Sequence, residues 1–553
     1  MNFFKSLILS SFSAFALFLS VSSIAQVSYE QILKAADTPE NWLTYNGGYS
    51  SQRYSALDQI TTSNVDDLQL KWTLQNQVFG AWQSNPIIVD GIMYVTERPN
   101  TVMAVDAVTG RIFWKYRHVP AANAVVCCGA NNRGVAILGD MVYMGTLDAR
   151  LIAIDRINGQ PLWNVEVGDV DLAYSVTMAP LAVKDKIIVG VGGGEYGIRG
   201  YVVAFDALTG EEAWKTYTIP GPGEANHDSW EGDDWEHGGA PIWITGSFDP
   251  ASNLTYWGVG NPGPDWNPSQ RPGDNLYSDS AIALDADTGE LKWYFQFTPN
   301  DAYDYDSVQV PVLADMVWRG VPKKVMMWAN RNGYFYILDR TTGEFLEGKP
   351  YVHVNWSSGL DENGRPIQTP QPEGMPTYPG NQGGTNWYAP SYSPRTGLFY
   401  FTAWEGYATI YHAEESEYVP GEAFYGGGFS VLAPAPDAPT IRIGRTNPIN
   451  TWTNEVGYTS VKAMDPQTGE EVWSYEQFDV SDSGILTTGA DLLFTGGREG
   501  YFHAVDARSG DLLWKVGLGG QIVMAPVTYM VDGVQYVSVI SGNSLSTFAL
   551  RNR

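Results

Sequence analysis

The sequence predicts an all-β fold, an eight-bladed β-propeller with long cap loops over one face. Three observations support this prediction: a short repeat that ends in tryptophan, the spacing of its copies, and the composition. The 553 residues include 59 Gly, 32 Tyr and 20 Trp, and only 17% are charged. Such a composition is typical of many short strands joined by tight turns, with aromatic packing between them.

The repeat has the pattern Ala-x-Asp-x-x-x-Gly-x-x-x-Trp. Its copies begin at Ala104, Ala153, Ala204, Ala283, Ala463 and Ala504 and end at Trp114, Trp163, Trp214, Trp293, Trp473 and Trp514. A degenerate copy holds Asp339 and Gly343 but has Glu347 where the others have tryptophan.

Each copy predicts a hairpin. The apolar strand Thr101–Val105 enters a turn, and the strand Arg111–Tyr116 leaves it with the tryptophan. In the turn, glycine can adopt φ > 0 and the aspartate can accept hydrogen bonds from backbone N–H groups. Another strand pair precedes the hairpin, as at Pro86–Val95. Four strands per repeat indicate a propeller blade, with the tryptophan packed against the next one.

The spacing gives the blade count. Asp106 and Asp155 are 49 residues apart, and two other intervals are 51 and 54. An interval of 79 residues fits one blade with an insertion. The 126 residues between Asp339 and Asp465 leave room for a degenerate blade around Ser391–Ala403. Seven visible copies and this inferred one predict eight blades.

Two further features complete the predicted ring. We expect closure between the strand around Leu70–Trp72 and the final strands near Val537–Ile540. The segments Glu347–Gly380 and Ala413–Asn450 are rich in Pro, Gly and acidic residues. Because loops of this length are usually functional or disordered, we predict that they cap one face.

The first 25 residues resemble a secretory signal. Lys5 precedes the apolar run Leu7–Leu19, and small residues end at Ala25. The alternative, a membrane anchor, needs about 20 apolar residues. We therefore predict a signal peptide at 1–25, one propeller domain at 26–553 and a periplasmic location. The formal net charge of −28 argues against nucleic acid or anionic lipid as a partner.

Cys127 and Cys128 are the only cysteines, and they are adjacent. Two cysteines in an exported chain are expected to pair. Bonded neighbours form a strained ring, which proteins tolerate mainly at functional sites. The alternative is two thiols that stay reduced or pair between chains.

The Trp-ended repeat and five local motifs resemble the pyrroloquinoline quinone (PQQ) alcohol dehydrogenases of the methanol and ethanol dehydrogenase type, over essentially the whole mature chain. The motifs are Cys127–Arg133 (CCGANNR), Gly192–Gly197 (GGGEYG), Gly238–Trp243 (GGAPIW), Gly258–Pro262 (GVGNP) and Asn300–Asp306 (NDAYDYD).

The resemblance implies a PQQ site with a face-to-face sandwich. A Cys127–Cys128 disulfide would lie on one face of the quinone and Trp243 on the other. Arg133 would clamp a carboxylate, and Arg331 would bond the reacting carbonyls. Further implied cofactor contacts are Gln83, Thr177, Gly193, Gly194, Asn386 and Trp387. Gln83 is a departure, because relatives often have a glutamate there.

The resemblance also implies a metal ion held by Glu195, Asn261, Asp304 and Asp306, with Asp304 as the catalytic base. Alternate residues of an extended chain point the same way, so Asp304 and Asp306 could reach one ion. Calcium-type relatives commonly have a small uncharged residue in place of Asp306. An added carboxylate favours a trivalent hard cation, so we expect a lanthanide, with Ca²⁺ as the alternative.

The expected substrate is a small alcohol, with Trp266 lining its cavity. Tryptophans that close this cavity in relatives are missing near Ser481–Gly484 and Ser541–Leu545, so methanol is less assured. The chain has no Cys-x-x-Cys-His haem motif. We therefore expect an external soluble cytochrome c as the electron acceptor. The chain length of the alcohol and the oligomeric state, including a homodimer, stay open.

Two other functions remain at this point. One is a non-enzymatic propeller scaffold built from the same repeat, such as the lipoprotein of outer-membrane assembly. The other is a sugar or aldehyde dehydrogenase that uses the same quinone.

Overall fold

The computed structural model describes residues 26–432, 458–477 and 480–551, and it confirms the predicted eight-bladed β-propeller. The predicted signal peptide lies outside these residues, as does 433–450 of the predicted cap. In the described part of the chain, no helix is long and apolar enough to cross a membrane.

The helical elements are short. Among the described residues, the one α-helix, α1, spans Tyr29–Leu33, and its N-cap Ser28 accepts a hydrogen bond from Gln31 N. The 3₁₀ turns span Ala35–Asp37, Val65–Asp67, Val170–Leu172, Gly194–Tyr196, His227–Ser229, Asp234–Glu236 and Pro268–Gln270.

The strands of the first half of the chain are β1 (Tyr54–Ser55), β2 (Leu68–Gln75), β3 (Ile87–Val89), β4 (Ile92–Glu97), β5 (Thr101–Asp106), β6 (Ile112–Arg117), β7 (Ala136–Leu138), β8 (Met141–Gly145), β9 (Arg150–Asp155), β10 (Pro161–Glu166), β11 (Leu181–Val183), β12 (Lys186–Gly190), β13 (Tyr201–Asp206), β14 (Glu212–Tyr217), β15 (Ser247–Asp249), β16 (Leu254–Gly258), β17 (Ser280–Asp285) and β18 (Leu291–Gln296).

The remaining strands are β19 (Val312–Trp318), β20 (Val321–Ala329), β21 (Tyr334–Asp339), β22 (Phe345–Pro350), β23 (Ser357–Leu360), β24 (Pro366–Gln368), β25 (Ser391–Ser393), β26 (Leu398–Glu405), β27 (Ala408–Ala413), β28 (Gly427–Leu432), β29 (Tyr458–Asp465), β30 (Glu470–Gln477), β31 (Leu486–Thr488), β32 (Leu492–Gly496), β33 (Tyr501–Asp506), β34 (Leu512–Gly517), β35 (Val527–Val531), β36 (Val534–Ser541) and β37 (Ser544–Leu550).

Eight antiparallel sheets form the blades. Blade 1 combines β35, β36 and β37 with β2. Blades 2 to 6 are β3–β6, β7–β10, β11–β14, β15–β18 and β19–β22. Blade 7 is β25, β26, β29 and β30, and blade 8 is β31–β34 with β1 added in parallel. Two small hairpins, β23–β24 and β27–β28, lie outside the blades.

The ring closes as predicted, with one difference in detail. Strand β2 pairs with Ser544–Leu550, and that strand then pairs with Val534–Ser541. The last strand of the chain therefore lies between β2 and the residues named from the sequence. Blade 1 is built from both ends of the propeller.

The count of eight is confirmed, but the separate degenerate blade at Ser391–Ala403 is wrong. Strands β25 and β26 belong to the same sheet as β29 and β30, which carry the copy from Ala463 to Trp473. The long interval before that copy holds an insertion between β26 and β29. The eighth blade is instead the closing blade 1, which has no recognisable copy of the repeat.

The repeat holds neighbouring blades together. Trp163 packs on Gly210 of the next blade and donates its indole N–H to Ala207 O at 3.2 Å. The same indole-to-carbonyl bond, 3.0–3.2 Å long, recurs at Trp72, Trp114, Trp214, Trp293 and Trp473. Where the degenerate copy ends in Glu347, the side chains of Lys349 and Glu347 cover the next glycine, Gly469. The tryptophan is thus the contact between blades that the repeat predicted.

Candidate active site

Every residue that the sequence assigns to the site lies outside the blade strands. The loops that carry these residues join the last strand of one blade to the first strand of the next, or the second strand of a blade to its third. In an antiparallel blade, both kinds of loop lie at the same end of the strands. The sequence-predicted residues therefore converge on one face of the ring, opposite the repeat turns.

Cys127 and Cys128 form a disulfide, so the alternative of separate thiols is wrong. Cys128 has φ +63°, and its carbonyl accepts a hydrogen bond from Asn131 Nδ2 at 2.9 Å. Arg98 donates from Nε to Ala130 O at 3.0 Å. A carboxylate oxygen of Glu195 and the two sulfur atoms all lie within 4.8 Å of one another. The disulfide is therefore placed directly beside a predicted metal ligand.

Arg133 joins three other predicted cofactor residues. Its backbone N–H donates to Thr177 O at 3.1 Å, and its Nη1 donates to Thr177 Oγ1 at 2.9 Å. Its guanidinium carbon lies 4.8 Å from the ring centroid of Trp243 and 5.2 Å from that of Trp387. A planar cation and two indole rings thus line one pocket, which suits a flat anionic ligand.

Several buried polar atoms at this face have no protein partner among the described residues. They include Gln83 Oε1, the indole N–H of Trp387 and Nε of Arg331. Asn386 is satisfied locally, because its Oδ1 accepts from Trp387 N at 2.8 Å and its Nδ2 donates to Gln382 O at 3.1 Å. Since buried polar groups are normally hydrogen-bonded, the unpartnered atoms indicate a place for a polar ligand.

The glycines of the Gly192–Gly197 loop are explained by contacts within the protein. Gly193 has φ +121°, and an added Cβ would lie 2.5 Å from Ala173 O. A Cβ on Gly194 would lie 2.9 Å from Cδ of Pro241. The loop therefore packs too closely against Ala173 and Pro241 to allow side chains at these two positions. This packing fixes the loop backbone that carries Glu195. The N–H of Phe424, from the β27–β28 hairpin, donates to Glu195 O at 2.7 Å.

The acidic loop places Asp304 and Asp306 beside one guanidinium, that of Arg331. Nη2 of Arg331 lies 3.1 Å from Asp304 Oδ2, and its Nη1 lies 2.8 Å from Asp306 Oδ2. Asp306 Oδ1 also accepts the backbone N–H of Asn261 at 3.0 Å. The carboxylate of Asp301 shapes the loop by accepting the N–H groups of Tyr303 and Tyr305. Both carboxylates therefore contact one guanidinium, although Asp304 has φ +58° and the chain is not extended there.

Three functional candidates were missed from the sequence. Asp265 and Asp279 are buried carboxyl groups, and Arg271 is a buried guanidinium that lies close to them. Asp265 Oδ1 and both carboxylate oxygens of Asp279 have no hydrogen-bond partner in the described chain. Asp265 could have been found from the sequence, because it directly precedes Trp266, which was assigned to the substrate cavity. Asp279 and Arg271 lie in an ordinary polar stretch that gives no such indication.

The site carries more negative than positive charge. Six carboxyl groups that are buried or nearly so surround two guanidiniums, those of Arg271 and Arg331; the six belong to Glu195, Asp265, Asp279, Asp301, Asp304 and Asp306. Burial, with a contribution from Asp306, raises the pKa of Glu195 to about 7. Burial raises the pKa of Asp301 to about 6 and that of Asp304 well above its usual range. Such a cluster favours a multivalent cation, which would relieve the repulsion.

Trp266 is buried and directly follows Asp265, one of the carboxyl groups of this cluster. Its ring packs on Tyr411 and Phe429, at centroid distances of 5.6 and 5.1 Å. Its backbone N–H donates to Tyr425 O at 2.9 Å. Burial, together with the nearby carboxyl groups of Glu195 and Asp304, raises the pKa of Tyr425 to about 12. The side chain therefore lies close enough to these groups to be influenced by their charge, and 37% of the residue remains exposed.

Comparison with known proteins gives a consistent result. Residues 42–355 match the family of the glucose/ethanol/alcohol dehydrogenase β-propeller domain, and residues 458–552 match that of the outer membrane protein assembly factor BamB. The chain is 38% identical to the quinoprotein alcohol dehydrogenase PedH of Pseudomonas putida, over 95% of this chain and 90% of that protein. It is 36% identical to a quinoprotein ethanol dehydrogenase of Pseudomonas putida, over 93% and 88%.

Two solved structures are similar over almost the whole chain. The quinohemoprotein alcohol dehydrogenase ADHIIG of Pseudomonas putida has a TM-score of 0.88 and 34% identity, covering 96% of this chain and 83% of that one. A europium-containing methanol dehydrogenase has a TM-score of 0.86 and 32% identity, covering 94% and 100%. These near-complete matches are to dehydrogenases, whereas the scaffold family matches only the final part of the chain.

Proposed function

The chain belongs to the PQQ-dependent quinoprotein alcohol dehydrogenases, and from this premise we propose that it oxidises small alcohols in the periplasm with Asp304 as the base. One observation supports the assignment most directly: Asp304 and Asp306 share the guanidinium of Arg331 within a cluster of buried carboxyl groups. When bound, PQQ would supply an acceptor for the hydride of the alcohol, which carries both electrons, and the metal ion would supply a Lewis acid.

The residues present fit the quinone. Arg133, Thr177, Asn386 and the unpartnered indole N–H of Trp387 would donate to its carboxylates and carbonyls, whereas the unpartnered Oε1 of Gln83 would accept from a donor group of the quinone. Trp243 and the Cys127–Cys128 disulfide supply flat surfaces for its two faces. Arg331 would donate to its reacting carbonyls. Gly193 and Gly194 let the protein backbone of the neighbouring loop approach.

The proposed role of Asp304 is to accept the hydroxyl proton of the alcohol. Burial raises the pKa of Asp304 well above its usual range, which makes its carboxylate a stronger base once it is deprotonated. The side chain is 23% exposed, so an alcohol can reach it. Arg331 lies 3.1 Å from its Oδ2 and orients it.

The chemistry of the residues present fits a hard cation, although the group of three possible ligands found within 4.8 Å of one another among the described residues is Cys127, Cys128 and Glu195 and does not include Asp304 or Asp306. Glu195, Asn261, Asp304 and Asp306 would supply only oxygen ligands, as such ions require. Three carboxylates in the set, with Asp265 and Asp301 behind them, favour a trivalent lanthanide over Ca²⁺. Binding such an ion would offset both the burial and the smaller repulsion by Asp306 that raise the pKa of Glu195.

Trp266 and Tyr425 are proposed to form the wall of the alcohol channel. Relatives have late tryptophans near Ser481–Gly484, whereas this sequence has none there. At this place Asp482 forms an ion pair with Arg498 at 3.1 Å. Both side chains are almost completely buried, so what distinguishes this place is the absent ring, which would leave more room in the cavity. We therefore expect alcohols larger than methanol as substrates.

Electrons would leave to a partner protein. With a net charge of −28, the chain suits a soluble cytochrome c with a basic surface.

Metal-dependent turnover tests this function. The purified protein is given PQQ with either La³⁺ or Ca²⁺, and dye-linked activity is measured over a series of primary and secondary alcohols. We expect activity with La³⁺ on alcohols of two or more carbons, and little with Ca²⁺. Full activation by Ca²⁺ alone would contradict the role of Asp306. No activity on any alcohol would contradict the proposed function.

A further inference from the structure

Arg271 is fully buried between the two loops that supply the proposed metal ligands. Its Nε donates to Pro264 O at 3.0 Å, and its Nη2 donates to Asp265 O at 3.2 Å. The same Nη2 also donates to Asp301 O. One guanidinium therefore binds backbone carbonyls on both loops.

These carbonyls lie close in sequence to the ligands. Pro264 and Asp265 follow Asn261 by three and four residues, and Asp301 precedes Asp304 by three. Loops have few hydrogen bonds of their own, so a side chain that binds both of them fixes their separation. Among the described residues, these loops are also joined by hydrogen bonds from Asn261 N to Asp306 Oδ1 at 3.0 Å, from Ser307 N to Val259 O at 3.1 Å and from Phe297 N to Asp279 O at 2.8 Å.

Two asparagines extend the contact. Nη1 of Arg271 donates to Asn275 Oδ1 at 2.9 Å, and Asn275 Nδ2 donates back to Arg271 O at 3.0 Å. Asn300, which opens the acidic loop, donates from Nδ2 to Arg271 O and to Asn275 Oδ1, both at 3.0 Å. Arg271, Asn275 and Asn300 form a closed hydrogen-bonded group, which we call the loop clamp.

The chemistry of the clamp requires arginine. A guanidinium presents donors in a rigid planar fork, so it can bind several carbonyls at once, whereas the ammonium of lysine is a point charge on a flexible stem. Burial lowers the pKa of Arg271 to about 10, so the group stays charged at neutral pH. Its nearest charged neighbours, Asp301 and Asp265, oppose that shift.

We propose that Arg271 is a positioning residue for the metal site. By holding the carbonyls of both loops, it sets the distance at which Asn261, Asp304 and Asp306 converge on one ion. It does not touch the ion. This inference rests on the proposed metal site and adds the residue that assembles it.

The test measures ion binding rather than turnover. Tb³⁺ is titrated into the full-length, PQQ-free protein, and its luminescence, sensitised by nearby tyrosine and tryptophan rings, gives a dissociation constant. We expect Arg271→Lys to weaken Tb³⁺ binding by about 10–100-fold, the range found when groups that orient metal ligands are removed. Asn300→Gly should weaken it less, because it keeps the φ of +49° and removes only one member of the clamp.

Arg53→Lys is the matched control. Arg53 is also fully buried, and it donates to the carbonyls of Tyr45, Ile485 and Pro526, away from both metal loops. Both lysine variants should lower the melting temperature, but only Arg271→Lys should weaken Tb³⁺ binding. If Arg271→Ala folds, millimolar guanidinium should restore part of its Tb³⁺ affinity. If it does not fold, Asn300→Gly and Arg271→Lys decide the outcome.

Two results would overturn the inference, and they are distinguishable. If Asp304→Ala loses Tb³⁺ binding while Arg271→Lys and Asn300→Gly bind like the parent, the metal site stands and the clamp is only structural. The same holds if Arg53→Lys loses as much affinity as Arg271→Lys. If the parent itself shows no saturable binding, or Asp304→Ala binds as well as the parent, the proposed metal site fails and the inference with it.

Discussion

The propeller has two rims: one is formed by the repeat turns and the other by the loops that carry the site residues. The same blades form both rims, but the two differ in how their polar groups are hydrogen-bonded. On the rim of the repeat turns, each aspartate caps its own turn, as Asp206 does for the N–H groups of Leu208 and Thr209. On the opposite rim no two loops are alike, and carboxyl groups such as Asp265 and Asp279 are buried without partners. The first rim satisfies its polar groups locally, whereas the second leaves them for a ligand.

This difference separates stability from function. A turn whose polar groups are hydrogen-bonded within the turn can be repeated around the ring, because it depends only on its own residues and one neighbouring tryptophan. A ligand site needs many loops to converge, so each loop must differ. Substitutions on the first rim should therefore lower stability without affecting activity, whereas those on the second should lower activity, with or without a loss of stability.

The largest effect is expected for Asp304→Asn. Removing the base should lower kcat by about 10³–10⁴-fold, or about 4–5 kcal/mol in activation free energy. The melting temperature should hold or rise, because a buried carboxylate beside other carboxylates is destabilising. Steady-state kinetics and thermal unfolding measure the two effects. The control is Asp285→Asn in a repeat turn, which should leave kcat within a factor of about two.

A repeat glycine should give the next largest effect. Gly289 has φ +73°, and a Cβ there would lie 2.4 Å from the ring of Trp214. Gly289→Ala should lower the free energy of unfolding by about 2–4 kcal/mol, since strain and overpacking add. In Gly397→Ala the φ of +72° is the same but no atom lies within 4 Å, so about 1 kcal/mol is expected. Equal losses measured by urea unfolding would show that the tryptophan contact is unimportant.

A pH-dependent contribution is expected from Asp148, near the disulfide loop. Burial alone would raise its pKa, but hydrogen bonds from His118, Thr146 and Ala121 outweigh it and lower the pKa to about 2. Above about pH 4 the ionised group should contribute about 1–2 kcal/mol to folding. This contribution is lost as pH falls toward 2, because the unfolded carboxyl takes up a proton first. Unfolding of Asp148→Asn should differ from that of the parent at pH 6 and converge with it near pH 2.

The smallest effect concerns the alcohol channel. Tyr425→Ala should raise kcat/KM for bulky alcohols relative to ethanol by a few-fold, about 1 kcal/mol, because one wall of the channel is removed. Tyr425→Phe keeps the ring and should leave this ratio unchanged. A substrate series measured on both variants separates the two. An unchanged ratio in Tyr425→Ala would remove Tyr425 from the channel.

The repeat rim could be predicted from the sequence because its contacts are short and periodic. The aspartate, the glycine and the tryptophan each recur at fixed offsets, and the structure uses them as expected. The blade count was right, but β25 and β26 were mistaken for a blade of their own, since spacing alone cannot show that they pair with β29 across the insertion. The closing blade was missed as the eighth because its strands come from opposite ends of the chain.

The ligand rim could be predicted only where a local motif marks it. The motifs around Cys127, Glu195 and Asp304 are short, and the structure brings them to one face. Arg271 carries no such mark, because its partners are backbone carbonyls whose chemistry does not depend on residue type. The bond from Phe424 to Glu195 spans more than two hundred residues of sequence. No pattern within either segment predicts it.

The pairing of β2 with β37 fixes the order of events during biogenesis. Until Ser544–Leu550 has been made and delivered, β2 has no neighbour and the ring stays open, with an edge free to pair with other chains. A product that stops short of this strand keeps seven blades but cannot seal. Such a product would remain an open ring that proteases and chaperones can bind. Loss of a few terminal residues should therefore be as damaging as loss of a whole blade.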